Sequence, residues 1–176
     1  AISLVGQHGD EAKFIAGGHS LLPMMKLRLA QPSVLIDIGR LSDLSYIREE
    51  GDQIAIGAMT RHMDVETSAL LEEHVPLLAH AAGHVGDPQV RHRGTLGGTI
   101  AHADPASDLP ATTLALGATY VAQGPNGTRE IAAAEWDACA AETYEWHGLA
   151  MGGLAGGAIR PVWTDEAVEI LEGRRS

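Results

Sequence analysis

Two stretches of the sequence carry the residue types that grip an anion. One is Arg93-Gly94-Thr95-Leu96-Gly97-Gly98-Thr99, running on into Ile100-Ala101-His102-Ala103-Asp104-Pro105. Adjacent glycines let a backbone come very close to another group, because no Cβ intervenes. Threonines on both sides add hydroxyl donors, and Arg91 and Arg93 stand at its start. Such a turn can present a row of N–H groups to an anion. The other is Ala16-Gly17-Gly18-His19-Ser20, which ends an apolar run and opens a helical one. A helix N-terminus after a glycine turn adds further donors. One Gly-Gly turn is thin evidence. Two, each flanked by hydroxyl residues, point to a ligand with two phosphates, or with one phosphate and a long body.

Other groups could do different chemistry. His80 and His84 lie one helical turn apart, with His92 and His102 further along. Neutral imidazoles at that spacing can bind zinc, but the glutamate of a zinc-protease helix is missing, since Ala81 follows His80. A small metal-dependent hydrolase therefore ranks last among the functions considered, and no metal site is expected. Asp104 and Asp108 could pair for acid–base work or magnesium. Four residues apart around Pro105, they more simply make a turn and a helix N-cap. His19 is either an exposed residue at a helix start or a ligand contact. Arg91 and Arg93 suit a phosphate, an acidic partner surface or a plain salt bridge. No catalytic residue is assigned.

The elements that must position these residues follow from patterning. A chain of 176 residues can bury a core as one domain or two small lobes. The formal net charge of −11 argues against nucleic acid. A single cysteine, Cys139, makes no internal disulfide and no cysteine metal site, which fits a reducing, cytoplasmic setting. No apolar run reaches membrane-spanning length. Residues 2–8 look like the tail of an amphipathic helix stopped at Gly9, so a piece lacking its natural beginning is expected. Lys13–Ala16 and Val34–Ile38 are buried-strand candidates. Between them a helix starts at Ser20, its proposed N-cap, and is closed by Pro32. Residues 45–57 alternate around Glu50-Gly51-Asp52 as a hairpin. Thr60 is expected to cap a helix running to about Glu73, and Pro76 starts another reaching Gly83. Ser107 or Asp108 caps a helix stopped at Gly117. Strands flanking Pro125-Asn126-Gly127 form a second hairpin. Residues 148–157 read as a flexible linker, and Thr164 caps a short helix to about Leu171.

Ala16-Gly17-Gly18-His19-Ser20-Leu21-Leu22-Pro23-Met24-Met25-Lys26 resembles the FAD-binding medium subunit of molybdenum hydroxylases, within them the aerobic carbon monoxide dehydrogenase type. The resemblance covers Leu35–Ile38, Ile56-Gly57-Ala58-Met59-Thr60, Asp87–Arg91, Arg93–Thr99 and Asp104–Ala111, so it spans about residues 1–136. It implies a two-lobed α+β FAD fold of the vanillyl-alcohol-oxidase (PCMH) type, truncated and lacking the usual C-terminal domain. The first lobe is then 1–57, without its N-terminal strand. The second is 58–136, and 137–176 is a divergent tail. Carried over by position, FAD is held by Ala16, Gly17, Gly18, His19 and Ser20, by Thr95, Leu96, Gly97, Gly98 and Thr99, and by Asp108 on the ribose or adenine side. The resemblance also implies hetero-oligomeric partners, a molybdopterin-binding large subunit and a small subunit with two [2Fe–2S] clusters. Electrons would pass from the clusters to FAD and on to an external acceptor, and the substrate would be oxidised on the large subunit. The alternative is a truncated flavin fold without cofactor that serves as an assembly module.

Overall fold

The computed structural model describes residues 1–104, 106–124 and 126–136. The linker expected at 148–157, the helix expected after Thr164 and the rest of the tail from 137 lie outside the described residues. The chain opens with α1 (Ile2–His8), a 3-10 turn (Gly9–Glu11), β1 (Ala12–Ile15), α2 (Leu21–Lys26) and β2 (Val34–Asp37). β1 and β2 pair in parallel, from Ala12 opposite Val34 to Ile15 opposite Asp37. Parallel strands need a crossover, which α2 and its flanking segments provide. The first glycine motif therefore sits directly beyond the C-terminal end of a strand.

An antiparallel hairpin follows, β3 (Ile47–Glu50) with β4 (Gln53–Ile56), turning at Gly51. Then comes a run of short helices: α3 (His62–Glu66), α4 (Ala69–His74), α5 (Pro76–His84), α6 (Pro88–Arg91), α7 (Leu96–His102) and α8 (Asp108–Ala115). The described chain closes with the antiparallel pair β5 (Thr119–Gly124) and β6 (Gly127–Ala132).

Two apolar clusters hold this together. The larger joins Val65, Leu71, Leu78, Ala79, Ala82, Leu96 and Leu109, with Ile47, Ile54 and Ile56 of the hairpin packed on it. The smaller joins Ile100, Ala122, Ile131 and Trp136. Leu96 and Ile100 share a face of α7, being four residues apart. That helix is thus pinned into both clusters at once. Trp136 adds a hydrogen bond from Nε1 to the Ile100 carbonyl at 3.1 Å. The second glycine motif, carried on α7, has little freedom to shift.

Several sequence expectations are corrected. The helix after Ser20 stops at Lys26 rather than near Pro32, because Arg28 takes a left-handed backbone, φ 62°. Ser20 holds the N-cap position without a side-chain capping bond. Thr60 is not a cap. It is 2 % exposed, and its hydroxyl donates to the Tyr46 carbonyl at 3.0 Å and accepts from the Tyr46 N–H at 3.2 Å. The N-cap position of α3 falls to Arg61. The single helix expected to Glu73 breaks at Thr67–Ser68. There the Thr67 hydroxyl bonds back to the Met63 carbonyl, and Ser68 Oγ accepts from the Leu71 N–H, caps that compete with a continuous helix. In β2 only Ile36 is buried, since among the described residues its sheet has two strands and Leu35 is left exposed.

Candidate functional site

The two glycine motifs meet. A Cβ built on Gly17 would overlap the Arg93 carbonyl oxygen, and would lie 2.7 Å from that carbonyl carbon and 3.1 Å from the Gly94 Cα. Motifs separated by more than seventy residues in sequence are thus in backbone contact. The segment 58–62 backs the second motif. Gly97 N–H donates to the Ala58 carbonyl at 2.9 Å, Leu96 N–H to the Thr60 carbonyl at 2.9 Å, and His62 N–H to the Gly94 carbonyl at 3.0 Å.

This arrangement revises the expected use of the glycines. Gly97 and Gly98 stand in the first turn of α7, not in a turn before it, and neither has a positive φ. A Cβ on Gly97 would lie 2.6–2.8 Å from Ala58 atoms, so this glycine serves packing inside the fold. Gly98 is different: a Cβ there would meet chiefly Thr95 Oγ1, its own capping partner, at 2.7 Å. Thr95 is the N-cap, accepting from the Gly98 N–H at 3.2 Å, and is 4 % exposed. Thr95→Ala is expected to cost about 1–2 kcal/mol by loss of this cap, measured as a lower midpoint in urea unfolding.

The donors are divided unequally. The N–H groups of Leu96, Gly97, Gly98 and Thr99 are all spent within the fold, that of Thr99 on the Thr95 carbonyl at 3.0 Å. By contrast, the N–H groups of Gly17, Gly18, His19 and Ser20 donate to no acceptor among the described residues. Gly18 adopts φ 78°, a left-handed conformation that glycine takes without penalty. Neither motif contains an acidic side chain. His19 is exposed, while Ala16, Ser20, Gly98 and Thr99 are half-buried. A concentrated negative charge beside Gly17–Ser20 would find unspent main-chain donors there, and hydroxyl groups nearby. The residues present fit a phosphate-bearing cofactor.

The two arginines separate. Arg91 Nε pairs with Glu66 Oε2 at 2.8 Å, and its Nη1 reaches the Val85 and Gly86 carbonyls, so it braces α6 against α3. Arg93 is exposed, and among the described residues it forms no ion pair. Asp104 makes the expected turn, Oδ1 accepting from the Ala106 N–H at 2.9 Å. Asp108 is exposed in the first turn of α8, with Ser107 at the N-cap position. Among the described residues no hydrogen bond or ion pair joins Asp108 to either glycine motif. His80 and His84 lie with ring centroids 4.5 Å apart, His84 Nδ1 2.9 Å from the His80 carbonyl oxygen. Among the described residues no group of three potential ligands is placed to hold a metal ion. No helix there is long and apolar enough to cross a membrane.

One residue of the site carried no sequence signal. His62 is 2 % exposed, and its Nε2 lies 3.2 Å from Thr99 Oγ1. Its Nδ1 is buried and has no hydrogen-bond partner among the described residues. Burial, and after it the charge of His19, lowers its pKa from 6.5 to about 4. It is neutral under ordinary conditions.

Residues 1–145 match the family described as the FAD binding domain in molybdopterin dehydrogenase. The match runs past the limit near 136 that the motifs alone carry. The chain is 55 % identical over 133 residues to the carbon monoxide dehydrogenase medium chain of Hydrogenophaga pseudoflava, covering 76 % of this chain and 46 % of that one. It is 47 % identical over 131 residues to the 6-hydroxypseudooxynicotine dehydrogenase complex subunit alpha of Paenarthrobacter nicotinovorans, covering 74 % and 44 %. A solved structure of the Hydrogenophaga pseudoflava carbon monoxide dehydrogenase lacking the Mo-pyranopterin moiety superposes with a TM-score of 0.75 at 54 % identity, covering 76 % of this chain and 47 % of that one. The chain spans about half the length of the curated relatives it matches.

Proposed function

Because the chain belongs to the family of FAD-binding domains of molybdopterin dehydrogenases, we propose that it binds FAD across the joined glycine motifs and works as the electron-transfer medium subunit of a molybdenum hydroxylase. The observation that carries this is the contact of Gly17 with Arg93–Gly94, which brings both motifs to one place. The unspent N–H groups of Gly17, Gly18, His19 and Ser20 would take the diphosphate. Thr99, Gly98 and the exposed Arg93 would add contacts from the second motif. The carry-over onto Ala16, Thr95, Leu96, Gly97 and Asp108 belongs to the same proposal. For Leu96 and Gly97 the role is to seat α7, since their amides are spent on Thr60 and Ala58. FAD, when bound, supplies the redox chemistry, and the chain holds and tunes it.

The fold in this reading is the two-lobed vanillyl-alcohol-oxidase type, with lobes at 1–57 and 58–136. Its partners are a molybdopterin-binding large subunit, where substrate is oxidised, and a small subunit with [2Fe–2S] clusters that deliver electrons. An external acceptor then takes electrons from FAD, and the assembly is cytoplasmic. Titrating the full chain with FAD tests the first step. Stoichiometric quenching of flavin fluorescence and a flavin band bleached by dithionite are expected. A protein that stays colourless, with no quenching at excess FAD, overturns the reading. Co-purification of that colourless protein with a molybdenum subunit would identify a cofactor-free assembly module instead.

A further inference from the structure

We infer that His62 is a positioning residue of the cofactor site, holding the Thr99 hydroxyl as a proton donor toward bound phosphate oxygens; this rests on the FAD reading above. The imidazole lies under the seam of the two motifs. A Cβ on Gly94 would stand 2.6 Å from His62 Cδ2 and 2.7 Å from Nε2, and Gly94 is the residue whose Cα Gly17 approaches. His62 is 2 % exposed, and among the described residues its Nδ1 has no partner. The side-chain contact its ring does make is that of Nε2 with Thr99 Oγ1 at 3.2 Å.

A neutral imidazole carries one N–H. If that hydrogen sat on Nδ1, a buried donor would be left without an acceptor. If it sits on Nε2, only a lone pair goes unused, which proteins tolerate more readily. The Nε2–H form therefore dominates, and Thr99 Oγ1 accepts from it. The hydroxyl proton of Thr99 must then turn elsewhere. The helical threonines Thr112 and Thr113 donate theirs to carbonyls four residues back, Asp108 and Leu109, and so does Thr67 to Met63. Thr99 makes no such bond among the described residues, and its side chain is half-buried. A threonine whose oxygen is held from below and whose proton is free at an open side is a donor awaiting an acceptor.

The test uses the full chain with 15N-labelled histidine. Long-range 1H–15N spectra near neutral pH are expected to report His62 as the Nε2–H tautomer, and an Nδ1–H tautomer overturns the inference. In FAD titrations Thr99→Val is expected to bind about tenfold more weakly, and Thr99→Ser to stay within about twofold of the wild type. Binding by Thr99→Val equal to wild type overturns the inference and leaves the FAD reading standing. His62→Phe is expected to match the loss of Thr99→Val, with the double variant no weaker than either. Additive losses would mean that the two act separately, which also overturns it. Should His62→Phe fail to fold, the tautomer and the Thr99 pair still decide. A wild-type protein that binds no FAD removes both readings together.

Discussion

Gly17→Ala is expected to weaken FAD binding at least about a hundredfold and to lower folding stability by about 3 kcal/mol. The added methyl would overlap the Arg93 carbonyl oxygen and come within 2.7 Å of its carbon. Both obstacles are backbone, so no side-chain rotation relieves them. Relief requires the first motif to lift away from the second. Gly94 is also held, its carbonyl accepting from the His62 N–H at 3.0 Å and its own N–H donating to the Val90 carbonyl at 2.7 Å. The strain therefore falls on the bend between β1 and α2, where the unspent amides are. Gly98→Ala is the instructive control. Its methyl would meet mainly Thr95 Oγ1, a side-chain atom that can rotate away. Gain in helix propensity and loss of the cap nearly offset, so stability should change by less than about 1 kcal/mol. Flavin fluorescence titration and urea unfolding of both variants measure this. Wild-type stability and FAD affinity in Gly17→Ala would mean that the contact does not govern the site.

Acid should destabilise the protein through His62. Its pKa in the fold lies near 4 against 6.5 when exposed. In this window the unfolded chain binds more protons than the folded one, so stability rises with pH. The contribution is complete above about pH 6.5 and is lost as pH falls through about 4. Its full size is about 3 kcal/mol, and burial at 2 % exposure leaves little solvent to screen it. His102 acts in the same direction, since burial lowers its pKa while Asp104 partly raises it. Urea unfolding of wild type and His62→Gln across this range is expected to give a shallower acid slope for the variant. A direct NMR titration of the wild-type imidazole gives the same answer if the variant is unstable. A His62 that titrates near its ordinary value would refute the burial argument.

Much of the architecture was legible because its signals are local. Gly51 between alternating residues announced the β3–β4 hairpin, and Asn126-Gly127 the β5–β6 pair. Pro76 marked the start of α5, and Gly9 and Gly117 the ends of α1 and α8, because each residue restricts or frees φ whatever surrounds it. Thr60 misled for the same reason. A threonine before a helical run is a good cap in isolation, but here the Tyr46 backbone, fourteen residues away, claims its hydroxyl. Ser68, seven residues into the expected helix, broke it with a cap that periodicity does not reveal.

By itself the sequence determined the type of site: two Cβ-free stretches with flanking hydroxyls and no acids, the chemistry of an anion cradle, and motif content enough to indicate a flavin family. Only the tertiary structure decided how that chemistry is shared. It spent the amides of Leu96, Gly97, Gly98 and Thr99 inside the fold, left those of Gly17 to Ser20 open, turned Arg91 to Glu66, and set His62 beneath the seam. The reason is that donors and acceptors are properties of residues, whereas whether they are already used depends on what the rest of the chain brings within 3 Å or so. No local pattern encodes that.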